Sequence, residues 1–149
     1  AYYKELVAKI RSQFPEASFT TDLIVGFPGE TDEDFAQMLE FLKEIRYDAA
    51  YTFLYSKRSG TPAATMENQV PQELKKERLH KLMDAQNEIS LEINQSLLNK
   101  TVEVMVVGSS KTEPNVYTGH TRTNKIFTFI YSVSIYNYFA LCCLSKNLI

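Results

Sequence analysis

The stretch TTDLIVGFPGET, residues 20–31, decides the fold of this chain. Its first half is apolar and β-branched, which predicts a strand from residue 18 to residue 25 that is covered on both faces. Gly26 and Gly29 then predict a turn, because glycine adopts backbone angles that residues with a Cβ avoid. Thr31, with Asp34 three positions later, is typical of a helix N-cap with a short form of the capping box. Free backbone N–H groups at such a turn bind nucleotide-like ligands, and an ordinary turn without a ligand is the alternative.

The elements around this turn alternate between helix and strand. Apolar residues at helical spacing predict a helix over residues 2–14 and another over residues 32–46. An aromatic-rich strand follows at residues 49–55, and the order α-β-α-β implies right-handed units in a parallel sheet. Two parallel strands leave sheet faces uncovered, so we expect further strands, absent from this chain, to complete the sheet. The predicted fold class is therefore α/β.

A long helix is predicted from residue 72 to about residue 97, because Pro71 suits the first helical position and an apolar seam follows. The charged residues at positions 75–81 are interpreted as a solvated face, with Glu73 and Glu77 placed for ion pairs within the helix. The alternative is a basic edge that meets the phosphates of a nucleic acid. The predicted seam consists of Leu74, Leu79, Leu82, Met83, Gln86, Ile89, Ile93 and Leu97.

Composition places the chain among ordinary globular proteins. It has 149 residues, a net charge of −2 and 44% hydrophobic residues, so a contact with nucleic acid needs a local patch rather than an overall charge. No secretory signal stands at the amino terminus, and we expect a cytoplasmic protein without a membrane segment. The chain opens without methionine inside a helical pattern, so we expect it to be a piece of a longer protein.

Four ordered stretches of the chain resemble the radical S-adenosylmethionine (SAM) methylthiotransferases. They are residues 22–30, residues 55–63 followed by the Gln-Val-Pro of 69–71, residues 82–90, and residues 116–125. The last of these, VYTGHTRTNK, is similar to the tRNA-modifying (MiaB-type) branch of the family. The resemblance implies a transferase that adds a methylthio group to C2 of N6-isopentenyl-adenosine beside the anticodon of tRNA.

The same resemblance implies SAM and 4Fe–4S clusters as cofactors, with tRNA and a reductant protein as partners. Iron–sulfur clusters are held by cysteine thiolates, and radical SAM enzymes carry three cysteines in a Cys-x-x-x-Cys-x-x-Cys loop. This chain has two cysteines, the adjacent Cys142 and Cys143, and no metal site of its own is predicted. We therefore expect a carboxy-terminal segment that is inactive alone and holds no catalytic residue.

Part of the wall of a SAM pocket is implied by the resemblance at the glycine turn. In this interpretation Ile24 packs on the adenine, while Gly26 and Gly29 let the backbone come close to the nucleoside. Glu30 either bonds a ribose hydroxyl or only decorates the turn. These four residues form the first half of the predicted cofactor site.

The second half of the predicted cofactor site follows the second strand. Tyr55 and Arg58 lie where barrel enzymes place their active sites. The planar guanidinium of Arg58 suits the methionyl carboxylate of SAM, and a surface ion pair with Glu44 or Glu67 is the alternative. For Tyr55 a place in the core or the pocket wall is expected rather than a chemical role.

Beyond residue 100 the hydrophobic period changes to two, which predicts a strand at residues 101–107 and a weaker strand at 116–118. This region resembles the start of a TRAM domain, a small β-barrel that grips tRNA. After residue 126 the chain departs from the family, and residues 127–144 carry no charge, proline or glycine. We expect foreign sequence there, with a membrane anchor as the alternative. The predicted RNA-binding residues, each of which is otherwise plain surface, are Lys111, His120, Arg122 and Lys125.

The predicted division of the chain has four parts. These are the last βα units of a radical SAM barrel (1–70), a connecting helix (71–98), a partial TRAM-like barrel (99–126) and a divergent apolar tail (127–149). Two other functions fit the residues. One is a methylthiotransferase for a ribosomal-protein aspartate or for threonylcarbamoyl-adenosine, and the other is a non-catalytic RNA-binding module of helix and barrel.

Overall fold

The structure, a computed structural model, describes residues 2–109, 113, 115–130 and 139–143 of the chain. These residues fall into two units: residues 2–13 with 19–93, and residues 14–18 with the described residues from 94 onward. The four-part division of the chain stays a prediction. The helices and strands are α1 Tyr2–Gln13, β1 Thr20–Val25, α2 Asp32–Ile45, β2 Ala49–Leu54, α3 Pro62–Thr65, α4 Gln72–Gln95, β3 Thr101–Ser109, β4 Val116–Thr121, β5 Ile126–Ile130 and β6 Phe139–Cys143.

The first unit contains a parallel pair of strands joined by α2. β1 pairs with β2 in register from Thr20 opposite Ala49 to Val25 opposite Leu54. The predicted α-β-α-β order and the parallel pairing are confirmed. A mixed α/β class is therefore established for this unit.

One face of the parallel pair is covered and the other is bare. Val25 and Leu23 pack into a core with residues of α1, α2 and α4, and that core contains the fully buried Leu42 and Leu82. On the opposite face Ile24 remains 52% exposed. The prediction that β1 is covered on both faces is wrong, because the helices of the described chain lie against one side and alternate residues of a strand point to opposite sides.

The α2 helix begins at a capping box. The Thr31 hydroxyl accepts a hydrogen bond from the Asp34 N–H (3.1 Å), and the Asp34 carboxylate accepts one from the Thr31 N–H (2.9 Å). The hydrogen bond from the Thr31 backbone lowers the pKa of Asp34 below its ordinary value. The predicted capping box is confirmed, and it explains why α2 starts directly after the turn.

Thr31→Ala is expected to lower the free energy of unfolding by about 1 kcal/mol near neutral pH, because the N–H of Asp34 loses its acceptor. The pKa of Asp34 is lowered in the folded state, so its stabilising contribution is present above the unfolded pKa. That contribution is lost as the pH falls through the folded value. Urea unfolding near neutral pH and in acid measures both effects.

The matched control is Thr61→Ala, since Thr61 stands at the N-cap of α3 but its side chain accepts no capping hydrogen bond. A smaller loss of stability is expected for this control. Equal losses in the two variants would contradict the assignment of the capping box as the source.

The α4 helix presents one buried face to the core, but its composition differs from the predicted seam. Met83 is 42% exposed, so its assignment to the seam is wrong. Lys75 and Arg78 are 6% and 3% exposed, so the interpretation of this charged stretch as a solvated face is wrong for both. Other charges of α4 do face solvent, and Glu77 forms the predicted ion pair with Lys81 at 2.7 Å.

The second unit contains an antiparallel sheet of four strands in the order β5-β4-β3-β6. Val104 and Phe129 are the buried centre of its core. The two predicted strands are confirmed and are longer than expected, with a register shift between Val106 and Gly108. The outer strands β5 and β6 take in residues 127–130 and 139–143 of the predicted tail.

The apolar tail also raised the alternative of a membrane anchor. Within the part of the chain that the structure describes, no helix combines the length and the apolar character that crossing a bilayer needs. Residues 131–138 and 144–149 lie outside that part.

Candidate cofactor site at the glycine turn

The bare face of the parallel sheet ends at the glycine turn. Ile24 lies opposite Phe53 in the register, and the two side chains are each 52% exposed. Tyr51, two positions earlier on β2, is 62% exposed. Parallel strands end at the same edge of a sheet, so these side chains form an apolar platform next to residues 26–30. A platform of this kind suits the flat face of an aromatic ligand ring.

The two glycines of the turn have different surroundings. Both have positive φ, +77° at Gly26 and +87° at Gly29, which explains why glycine stands there. At Gly26 the stem of Lys75 fills the space that a Cβ would need, whereas at Gly29 nothing lies within 4 Å of that position. The side of the turn open to a close-lying ligand is therefore the side of Gly29.

The backbone N–H groups of both glycines have acceptors in the protein. Gly26 donates to the Glu30 carboxylate (2.9 Å), and Gly29 donates to the Asn68 carbonyl (2.9 Å). A ligand at this turn would therefore pack against the backbone, because neither glycine N–H is left without an acceptor. The prediction that Gly26 and Gly29 contact a nucleoside is not tested by these contacts.

Glu30 lies in a buried ion-pair cluster with α4. Arg78 donates from Nη1 to Glu30 Oε1 (2.6 Å) and to the Glu30 carbonyl (3.2 Å), and from Nη2 to Asp32 Oδ1 (2.6 Å). Burial alone would lower the pKa of Arg78, but its hydrogen bonds to Asp32 and Glu30 raise it instead. Since the Glu30 carboxylate also accepts from Gly26, its two oxygens are both engaged within the turn.

Tyr55 lies beside the turn at the end of β2. Its ring meets Phe27 edge to face with centroids 5.2 Å apart, and the Lys75 ammonium lies 5.0 Å from its centroid. Lys75 also donates to the Tyr55 carbonyl (3.1 Å). The Tyr55 hydroxyl is buried and has no hydrogen-bond partner among the described residues. This hydroxyl, like Arg78 Nε at the same site, is therefore a buried polar group with unused bonding capacity among the described residues.

Arg58 is exposed three residues beyond Tyr55. Its carbonyl accepts from the Thr61 hydroxyl at 2.8 Å, while its guanidinium has no ion-pair partner within the described ranges. The alternative pairing with Glu44 is wrong, because Glu44 pairs with Lys4. The guanidinium is thus available to an anionic group.

Three of the predicted RNA-binding residues lie on or after β4. Arg122 has a side chain 81% exposed and pairs with both carboxylate oxygens of Glu103 at 3.1 Å. Lys125 donates from Nζ to the Asn94 side chain at 3.1 Å. His120 belongs to β4, where it pairs with Met105 of β3 on one side and Ile126 of β5 on the other. Its Nδ1 is buried and has no hydrogen-bond partner among the described residues. Lys111 lies outside the described residues.

The site contains two residues that are not among the predicted site residues, Lys75 and Arg78. Helical spacing was the signal that could have found them, since both share a helix face with the buried Leu82. No group of three or more His, Cys, Asp or Glu side chains that could hold a metal ion occurs in the described part of the chain. Cys142 and Cys143 pair with β3 through their backbones.

Comparisons with known proteins identify relatives for most of the chain. The chain is similar to tRNA-2-methylthio-N(6)-dimethylallyladenosine synthases from Acetivibrio thermocellus (58% identical over 127 residues), Carboxydothermus hydrogenoformans (53% over 128) and Clostridioides difficile (48% over 128). These alignments cover 85%, 86% and 86% of this chain and 26%, 29% and 27% of the relatives. No profile of a known protein family matches.

The chain thus spans little more than a quarter of the length of the curated relatives it matches. Identity of 58% over most of the chain establishes homology to that portion. The resemblance predicted from the four sequence stretches is confirmed.

Proposed function

We propose, from the homology of this chain to one segment of the tRNA-2-methylthio-N(6)-dimethylallyladenosine synthase family, that it forms part of a tRNA methylthiotransferase. In this proposal the first unit is the last part of a radical SAM barrel, and the second unit is a TRAM-like barrel that binds tRNA. The enzyme adds a methylthio group to C2 of N6-isopentenyl-adenosine. The segment of the relatives that this chain does not span supplies the remaining strands and the cysteine ligands.

The observation that carries the proposal is the bare apolar platform beside the open side of the glycine turn. Ile24 and Phe53 expose apolar surface on the sheet face opposite the helices, where a closed barrel has its interior. Gly29 leaves open space next to it. An adenine ring on Ile24 with backbone passing close at Gly29 fits these surroundings.

Polar groups at the same edge fit the rest of a SAM molecule. Among the described residues the Arg58 guanidinium has no ion-pair partner and could meet a carboxylate, and the buried Tyr55 hydroxyl has no hydrogen-bond partner. Glu30 accepts the Gly26 N–H with one carboxylate oxygen and pairs with Arg78 through the other, so a ribose hydroxyl would have to bond lone pairs that these two contacts leave unused. When bound, SAM supplies the radical chemistry, and the iron–sulfur clusters of the longer enzyme supply the electrons. The residues of this chain bind and orient SAM and exclude water from it.

The residues that bind tRNA are proposed to lie around the turn between β4 and β5. Arg122 and Lys125 lie three positions apart there, His120 belongs to β4, and Lys111, which is outside the described residues, is the fourth residue of the proposed set. Because Glu103 pairs with Arg122, a tRNA phosphate must displace a carboxylate whose side chain is 35% exposed from a guanidinium whose side chain is 81% exposed. Exposed ion pairs of this kind are weak, so the exchange costs little.

A chimera tests the proposed function. Residues 1–130 of this chain replace the matching segment of the Acetivibrio thermocellus relative, in cells that lack their own enzyme. We expect 2-methylthio-N6-isopentenyl-adenosine in the tRNA, measured by mass spectrometry of nucleosides. Ile24→Asp should lower the product at least about tenfold, because a buried unpaired carboxylate opposes the adenine.

The matched control is Leu91→Asp, which puts the same charge on another exposed apolar position, 47% accessible on α4. Its product should stay within about twofold of the unchanged chimera. A folded chimera that makes no product would overturn the proposal. Product in threonylcarbamoyl-adenosine or in a ribosomal protein instead would assign the chain to a sister enzyme.

A further inference from the structure

We infer that Lys75 and Arg78 of α4 are positioning residues that set the conformation of the glycine turn, residues 26–30. The identity of the ligand at this turn rests on the proposed function. The geometry rests on the contacts of the two cations alone. Neither cation is assigned a contact with substrate.

Arg78 grips the carboxy-terminal end of the turn. Its side chain is 4% exposed, and its fork reaches the Glu30 carboxylate, the Glu30 carbonyl and the Asp32 carboxylate. Glu30 connects Arg78 to the start of the turn, because its other carboxylate oxygen accepts a hydrogen bond from the N–H of Gly26. A chain of hydrogen bonds therefore runs from α4 through Glu30 to the first residue of the turn.

Lys75 holds the amino-terminal end of the same turn. Its stem packs on Gly26, and its ammonium donates to the carbonyl of Tyr55 at 3.1 Å. Tyr55 in turn donates its N–H to the Val25 carbonyl at 2.9 Å, which continues the pairing of the two strands by one residue. Lys75 thus fixes Gly26 against the ends of both strands.

The chemistry of the two contacts indicates positioning rather than stability alone. A buried cation is costly to desolvate, and apolar side chains of similar volume often stabilise a core at least as well. What a guanidinium adds is direction, since its planar fork holds a carboxylate in one orientation. Arg78 uses that fork at residues 30 and 32, directly after the side of the turn that is open at Gly29.

Hydrogen exchange of backbone amides in this chain, measured by NMR, tests the inference. The variant is Arg78→Lys, which keeps the charge and loses the fork. We expect the protection of the Gly26 amide to fall at least about tenfold relative to that of the Leu82 amide, which reports opening of the core. The matched control is Arg46→Lys, since Arg46 pairs with Glu92 on the surface and should leave the ratio unchanged.

The possible outcomes distinguish a role of Arg78 in positioning the turn from a role in the stability of the whole unit. Equal loss of protection at Gly26 and Leu82 would overturn the inference and leave Arg78 a structural residue. No loss of protection at either amide would also overturn the inference. A selective loss at Gly26 supports it. In the chimera the same variant should raise the Kd for SAM about tenfold. If the unchanged chimera binds no SAM, the proposed function fails, while the exchange ratio still decides whether α4 fixes the turn.

Discussion

Leu82→Ala is expected to lower the free energy of unfolding of the first unit by about 2–5 kcal/mol. Leu82 is 0% exposed and belongs to the core that joins α4 to Val25 of β1 and Leu42 of α2. Removing its isobutyl group leaves a cavity between a strand and two helices, which are too constrained to close it fully. Urea unfolding followed by far-ultraviolet circular dichroism measures the loss by linear extrapolation.

The neighbouring residue supplies a matched control. Met83 has a side chain of similar size on the same helix turn but is 42% exposed. We expect Met83→Ala to cost under about 1 kcal/mol. If the two variants lost equal stability, the face that α4 presents to the core would have to be assigned differently.

Gly26→Ala is expected to have the second large effect. The positive φ of Gly26 costs an alanine roughly 1–2 kcal/mol of backbone strain. The added methyl group also meets the stem of Lys75, whose displacement breaks its packing on the turn and costs roughly 1–3 kcal/mol more. Urea unfolding measures the total loss of unfolding free energy. In the Gly26→Ala variant, the amides of the turn should also lose protection from hydrogen exchange while the amides of the core keep theirs.

Gly29→Ala separates the two contributions to the Gly26 effect. Gly29 has a similar φ of +87° but open space where the methyl group would go, so only the backbone strain applies. We expect the loss of stability in Gly29→Ala to be clearly smaller than in Gly26→Ala. A larger loss at Gly29 would contradict the packing of Lys75 on the turn.

Local patterns were sufficient to predict the centre of this fold. The capping box needs Thr31 and Asp34 only, and the glycine turn needs a run of about a dozen residues around it. The parallel pairing follows from the order of elements, since a strand, a helix and a strand with short connections form a right-handed unit. These features depend on residues that are close together in the chain, so a single sequence is enough to predict them.

The two buried cations were mispredicted because their charge was given more weight than their helical phase. The buried residues of α4 are Lys75, Arg78, Leu82, Gln86 and Ile89, which repeat at the three-and-four spacing of one helix face. That spacing was visible in the sequence. The carboxylates that make burial of Arg78 possible were not, because Glu30 and Asp32 lie 48 and 46 positions away.

The exposure of Ile24 and the position of the outer strand β6 in the second unit also depend on distant parts of a chain. Ile24 has the residue type of a buried strand position, and what leaves it bare is the lack of covering strands in the described chain. β6 pairs with β3 across a separation of about forty residues, a partner choice that no local pattern indicates. The glycine turn of the candidate site was therefore predictable from the sequence, whereas the contacts of Lys75 and Arg78 with that turn were not.

The register of the parallel pair constrains the order in which the first unit acquires structure. Every residue of β1 pairs with the residue 29 positions later, from Thr20 with Ala49 to Val25 with Leu54. No rung of that ladder forms before a loop of this length closes, and loop closure costs entropy that a contact repays only afterwards. The α2 helix, which begins at the Thr31 capping box, lies within this loop, so a formed helix shortens the flexible chain that must close before the two strands pair.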